Sequence, residues 1–152
     1  MPKTIIHANR QETDPMNTQD VKTLLETKNA FAAHLGIAIT EMGEGTATCT
    51  MAIRPELANP FGTVNAGAIY GLAETAFGAA ANSHGTAALA VNLSIAYVRP
   101  ATGATLTARA EELSAGRRMA TYSVKVYDDA GELVADVQAM GYRTGRDLGE
   151  LA

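Results

Sequence analysis

The chain has 152 residues, a net charge of -4 and one cysteine, Cys49: one domain able to bury a core unaided, no internal disulfide framework, and a reducing, cytoplasmic setting. Acidity with no basic cluster larger than Arg117-Arg118 argues against a nucleic-acid partner. No apolar run approaches the ~20 residues that span a bilayer, and the N-terminal MPKTIIHANRQETDP lacks a signal peptide's apolar core, so no membrane partner is expected.

In chain order, residues 1–17 read as a flexible polar tail. Residues 18–34 predict one amphipathic helix, capped at Thr18 and Asp20, with Val21, Leu24, Leu25, Phe31 and Leu35 on its apolar stripe. Ile37-Ala38-Ile39 starts a strand that turns at Gly43-Glu44-Gly45. Ala47, Cys49, Met51 and Ile53 then alternate with Thr46, Thr48 and Thr50, the pattern of a half-buried strand. Cys49 sits on the apolar side of that pattern and reads as core, not as a nucleophile.

Asn59 to Asn82, NPFGTVNAGAIYGLAETAFGAAAN, holds a single charged residue, Glu74. The charge silence extends further: the 42 residues between Glu56 and Arg99 contain no other Asp, Glu, Lys or Arg, where the chain average of 18% would place about seven. Such a stretch belongs in the core or an interface, and a carboxylate there is costly unless it is used or paired. Asn59-Pro60 and Gly62 mark a turn, Asn65 is an N-cap, and a helix is predicted from Ala66 to about Ala81, stopped by Asn82-Ser83-His84-Gly85. Ile69, Leu72, Ala73, Ala76, Ala79 and Ala80 line one face. Gly67, Tyr70, Gly71, Glu74, Phe77, Gly78 and Ala81 fall opposite. Gly71 and Gly78 each cost roughly 1 kcal/mol of helix propensity, so a close approach beside Glu74 is expected.

Four strands follow. Leu89, Val91, Leu93, Ile95 and Tyr97 form a large apolar face, and Ala90, Asn92, Ser94 and Ala96 a small polar one. Thr105–Glu112 and Met119–Tyr127 flank Gly116-Arg117-Arg118. Asp128-Asp129-Ala130-Gly131 is a hairpin turn before the alternation of Leu133, Ala135, Val137 and Ala139. The tail from Gly145 is expected to fray. His7 and His34 read as solvent-facing, His84 as a capping or surface residue. The order describes an α+β domain over residues 18–144, an antiparallel sheet wrapped around one apolar helix, whose edges invite a second subunit.

NPFGTVNAGAIYGLAE resembles the Asn-x-x-Gly-x-x-His-Gly-Gly segment, ending in a helical acid, of hotdog-fold acyl-CoA thioesterases, in particular the phenylacetate-degradation and 4-hydroxybenzoyl-CoA thioesterase group. Asn92-Leu93-Ser94-Ile95-Ala96-Tyr97 with Arg99-Pro100, and Gly116-Arg117-Arg118, echo it later; the likeness covers roughly residues 35–143. It implies a hotdog fold and hydrolysis of an acyl-CoA substrate, by a homodimer or homotetramer with its site at a subunit interface. No metal is implied, and no cofactor apart from the coenzyme A of the substrate. Glu74 takes the position of the acid, as nucleophile or general base. Asn59 matches the side chain that orients water or thioester, and Gly67 the backbone N–H that polarises the carbonyl. Arg117 and Arg118 resemble the basic turn that meets the nucleotide phosphates, while Ala66, Tyr70, Phe77 and Asn92 are assigned to substrate contact.

The chain departs from the family at two places. Asn65-Ala66 replaces the histidine-glycine pair, so an amide holds the histidine's place. The helper serine or threonine has no clear counterpart, since Gly78 and Ala90 occupy its positions; Asn92, Ser94 and Thr75 are alternatives. Two other readings stand beside the thioesterase: a hotdog module that binds acyl-CoA without turnover, and a hydroxyacyl-thioester dehydratase, whose chemistry would want the missing histidine.

Overall fold

The computed structural model describes residues 16–151; the expected N-terminal tail lies outside them up to residue 15. Two short helices, α1 (Thr18–Lys28) and α2 (Ala30–Leu35), stand where the periodicity predicts one. Asn29 breaks the run. Its N–H donates to the Leu25 carbonyl and closes α1, while its Oδ1 accepts from Ala32 N–H at 2.9 Å and opens α2. Asn serves badly inside a helix and well at a cap. The N-cap of α1 is Asn17, whose Oδ1 accepts from Asp20 N–H, rather than Thr18 or Asp20. The broken axis also scatters the predicted stripe: Val21 and Leu35 are buried, but Phe31 is 57% exposed.

Strands β1 (Ile37–Gly43) and β2 (Thr46–Ala52) pair through the Gly43–Gly45 turn, and α3 (Ala66–Asn82) follows. Then come β3 (Thr86–Tyr97), β4 (Thr105–Ala115), β5 (Met119–Tyr127) and β6 (Leu133–Asp147). All six strands join one antiparallel sheet in the order β1-β2-β4-β5-β6-β3. The chain therefore passes from α3 into β3 at one edge of the sheet and then crosses to β4 in its middle, between β2 and β5.

The sheet wraps around α3, which touches every strand. Leu72, Ala73, Ala76 and Ala80 are fully buried, and a buried leucine is worth roughly 1.5–3 kcal/mol. Gly71 permits the close approach expected of it, with α2 as the neighbour. A methyl group there would lie 2.6 Å from Leu35 Cδ1 and 3.1 Å from the Phe31 ring. The C-terminus does not fray from Gly145. Residues Gly145–Asp147 continue β6, a short 3-10 turn runs Leu148–Leu151, and Leu148 is buried with Val21 and Ala87.

His84 is not a simple surface residue. Its Nε2 lies 3.0 Å from Glu112 Oε2, and the buried Tyr122 hydroxyl donates to the same oxygen at 2.7 Å. Against the cost of burial, these two hydrogen bonds and the charges of His84 and Arg143 hold the Glu112 carboxyl below its usual range. The Tyr122 ring meets Phe77 edge-on, centroids 5.3 Å apart, so the network ties the end of α3 to β4 and β5.

Candidate active site

Asn65 caps α3 as its position predicts. Its Oδ1 accepts the Gly67 N–H at 2.8 Å, and its own carbonyl accepts from Ala68 and Ile69. Tyr97, on β3, donates its hydroxyl to the Ala66 carbonyl at 2.9 Å, pinning the helix start to the edge strand. Burial, then the Tyr70 charge, raises the Tyr97 pKa, and both rings are partly exposed beside the helix start. The N-terminus of α3 concentrates donors and positive dipole. At rest, the Gly67 donor is occupied by its own cap.

Two turns along α3, Glu74 stands in different surroundings. It faces a cavity of about 370 Å³ walled by α1 (Leu25, Glu26), the α1–α2 joint (Asn29), α2 (Ala32, Ala33), β1 (Ile37–Ile39), α3 and β3 (Ala88–Ala90). Small residues make the space. A methyl group at Gly78, one turn beyond Glu74, would meet nothing within 4 Å. Burial raises the Glu74 pKa above the ordinary carboxylate value, and among the described residues no hydrogen bond or charge offsets it. A carboxylate so desolvated holds its proton more tightly and is a better base once ionised.

A model of the thioesterase superfamily matches residues 61–135. Over 118 residues the chain is 35% identical to the acyl-coenzyme A thioesterase PaaI of Escherichia coli strain K12, covering 77% of this chain and 84% of that protein. The chain belongs to the thioesterase superfamily. It is also 39% identical over 129 residues to a protein of Archaeoglobus fulgidus, covering 84% of each. The structure of the E. coli PaaI protein superposes with a TM-score of 0.83 at 30% identity, over 86% of this chain and 95% of that one. The fold is the hotdog fold that the sequence resembles, and membership carries the expected enzyme class, thioester hydrolase.

Within this thioesterase fold the predicted residues fall into three groups. Glu74 and Phe77 line the cavity. Phe77, on the face opposite Leu72, is 2% exposed and wedged between Tyr122 and Gly141, because the sheet wraps around α3 and covers that face too. Asn59, Asn65, Ala66, Gly67 and Tyr70 gather around the helix start, outside the cavity wall. The Asn59 amide organises its own loop: Oδ1 accepts from Phe61 and Thr63 N–H, and Nδ2 donates to Thr63 Oγ1 at 2.8 Å.

Asn92, Arg117 and Arg118 form no part of the cavity wall. Asn92 is exposed on β3. Arg118 donates to the Tyr142 hydroxyl at 2.6 Å from the β4–β5 turn, and Arg117 is exposed beside it. Thr75, an alternative for the missing helper hydroxyl, lines the cavity but donates back to the Gly71 carbonyl at 2.8 Å.

Two polar cavity residues, Glu26 and Asn29, are not among the residues the sequence points to. An asparagine inside an apolar stripe signals a cap and hence a break, which is what brings its side chain beside the cavity. Among the described residues no group of three or more His, Cys, Asp or Glu could hold a metal ion, and no helix is long and apolar enough to cross a membrane. Cys49 is fully buried on β2, as its alternation predicts.

Proposed function

We propose that this protein hydrolyses an aryl- or acyl-CoA thioester to the free acid and coenzyme A. The observation that carries the proposal is Glu74, a raised-pKa carboxylate without a charge partner among the described residues, on the wall of a largely apolar cavity. In this reading the acyl group lies in the cavity and the thioester carbonyl is polarised by a backbone N–H at the start of α3, with Gly67 as the donor. Glu74 either takes a proton from water as the water attacks the carbonyl carbon, or attacks that carbon itself to form a mixed anhydride that water then cleaves. The C–S bond breaks, and the thiolate leaves as coenzyme A after taking up a proton. Arg117 and Arg118 meet the nucleotide phosphates.

Gly67 and Glu74 are about 10 Å apart along the helix axis, so one chain's α3 does not bring donor and acid to the same atom. We take the site to be completed by a second copy docked on β3. That edge strand exposes Leu89 and Val91, 62% and 58% accessible, and bare apolar edges are ordinarily covered. Light scattering is expected to give twice or four times the 15.9 kDa chain mass. Val91→Lys, which puts a charge on the edge, is expected to reduce both the mass and the turnover. A monomeric Val91→Lys chain with full activity would show that the site needs no second copy.

The direct test is thiol release from a panel of aryl- and acyl-CoAs. Turnover of at least one is expected. Binding by calorimetry with no release from any of them would replace the hydrolase with a binding module, a reading favoured by the Asn65 cap that occupies the Gly67 donor.

A further inference from the structure

Among the described residues, the cavity wall carries two carboxylates and no cation: besides Glu74, Glu26 lines it from α1, and none of the described Lys, Arg or His residues does. The remaining polar groups give little in return. Asn82 donates to the Gly78 and Ala88 carbonyls at 2.8 and 3.3 Å and accepts from Ala88 N–H, and the Thr75 hydroxyl is committed to Gly71. Among the described residues of the wall, the Asn29 side-chain amide group alone makes no donated hydrogen bond, its oxygen being held by Ala32 N–H.

Glu26 is partly screened by Lys22, one turn earlier on α1, whose Nζ lies 3.1 Å from its Oε1. Lys22 is not part of the wall, so the pair presents its negative end to the cavity. The field reaches inward. Burial first, then the charge of Glu26, pushes the Cys49 thiol up to about 12, with Lys22 opposing more weakly.

We infer that this cavity discriminates by charge: it takes acyl groups that are neutral at their far end and rejects those ending in a carboxylate, and Glu26 sets the degree of rejection. The inference rests on the reading above that the acyl group occupies the cavity. A carboxylate at the far end of the acyl group, brought close to Glu26, would meet like charge in a partly dry space, where each unit charge is worth several times its value in water. Glu26 touches no reacting atom. It acts on the distal end of the acyl group, and its effect should appear as selectivity.

The test compares kcat/KM for thiol release from hexanoyl-CoA and adipoyl-CoA, matched in length and differing by a terminal carboxylate, and repeats it with benzoyl-CoA and 4-carboxybenzoyl-CoA. Wild type should prefer the neutral member of each pair. Glu26→Gln should shrink that preference about tenfold, and Lys22→Gln, which unmasks Glu26, should widen it severalfold. The two substitutions thus move the ratio in opposite directions. Both residues lie on the partly exposed helix α1, and circular dichroism will confirm that the variants are folded. Equal use of both members by wild type, or a ratio that ignores both substitutions while neutral substrates turn over, would overturn the inference. If none of the four is hydrolysed although others of the panel are, the cavity is not the acyl site and the inference fails with that placement. Inactivity toward every CoA ester tried would instead overturn the hydrolase reading itself.

Discussion

Glu74→Gln is expected to reduce thiol release from CoA esters by at least about a hundredfold while leaving calorimetric binding of the substrate intact. The substitution keeps the shape of the side chain and removes only its ability to accept a proton or attack a carbonyl. Losses of about 10²–10⁴ accompany the removal of a positioned general base, and more follow when the residue is the nucleophile itself. Glu74→Ala should be as inactive, with a wider cavity next to the space already left by Gly78. The pH profile of wild type provides a second check. The active form is the carboxylate, and burial sets its pKa above the ordinary value. Activity should therefore rise with pH through a midpoint above that of a solvated glutamate.

Stability separates this loss from misfolding. A carboxyl whose folded pKa is raised favours folding only in its protonated form. That contribution is complete below the unfolded pKa and is lost as pH rises through the folded pKa, so at neutral pH the charge costs stability. Glu74→Gln cannot ionise. It should melt above wild type at neutral pH, and the gain should vanish in acid below the ordinary glutamate pKa. Unchanged turnover in the variants would remove Glu74 from the mechanism.

What could be read from the sequence was what is decided locally. The charge silence around Glu74, the Asn65 cap and the Asp128–Gly131 hairpin each depend on neighbours within a few residues, and α3 begins where its cap predicts. The break at Asn29 was hidden because one capping residue inside an apolar stripe is a weaker signal than the stripe itself. The placement of β3 beside β6, at the edge opposite β1, is set by pairing between residues as far apart as Thr86 and Asp147 and leaves no local mark. At β3 the register shifts between Ala90 and Asn92, so the strict alternation read along Leu89–Tyr97 does not give two clean faces. Glu74 could be found because a lone carboxylate in an apolar stretch needs a reason. Asn29 and Glu26 could not, because they reach the same cavity only through the packing of α1 and α2 onto α3.

The departure at Asn65 yields the other large effect, one in which stability and activity move in opposite directions. The Asn65 amide oxygen accepts the Gly67 N–H at 2.8 Å, the donor proposed to polarise the thioester carbonyl. For that donor to serve the substrate, the cap must swing aside, which a neutral amide can do at the cost of one ordinary hydrogen bond, about 1 kcal/mol. Asn65→Asp replaces it with a charged acceptor that binds the N–H more strongly and suits the positive end of the helix, stabilising the fold by ~0.3–1 kcal/mol. The same carboxylate then holds the donor and repels the negative oxygen that develops on the carbonyl. Removal of one such donor costs about 10²–10³ in kcat, and a fall of that size is expected with a melting temperature equal to or above wild type. Asn65→Gly supplies the opposite case: glycine is a tolerable cap at a cost of only a few tenths of a kcal/mol, and it frees the Gly67 N–H, so turnover should be kept or increased while stability falls slightly. Steady-state kinetics beside thermal melts of the two variants decide the matter. If Asn65→Asp turns over like wild type, the carbonyl is polarised by a group other than Gly67, and the N–H of Ala66 at the same helix start becomes the donor to examine.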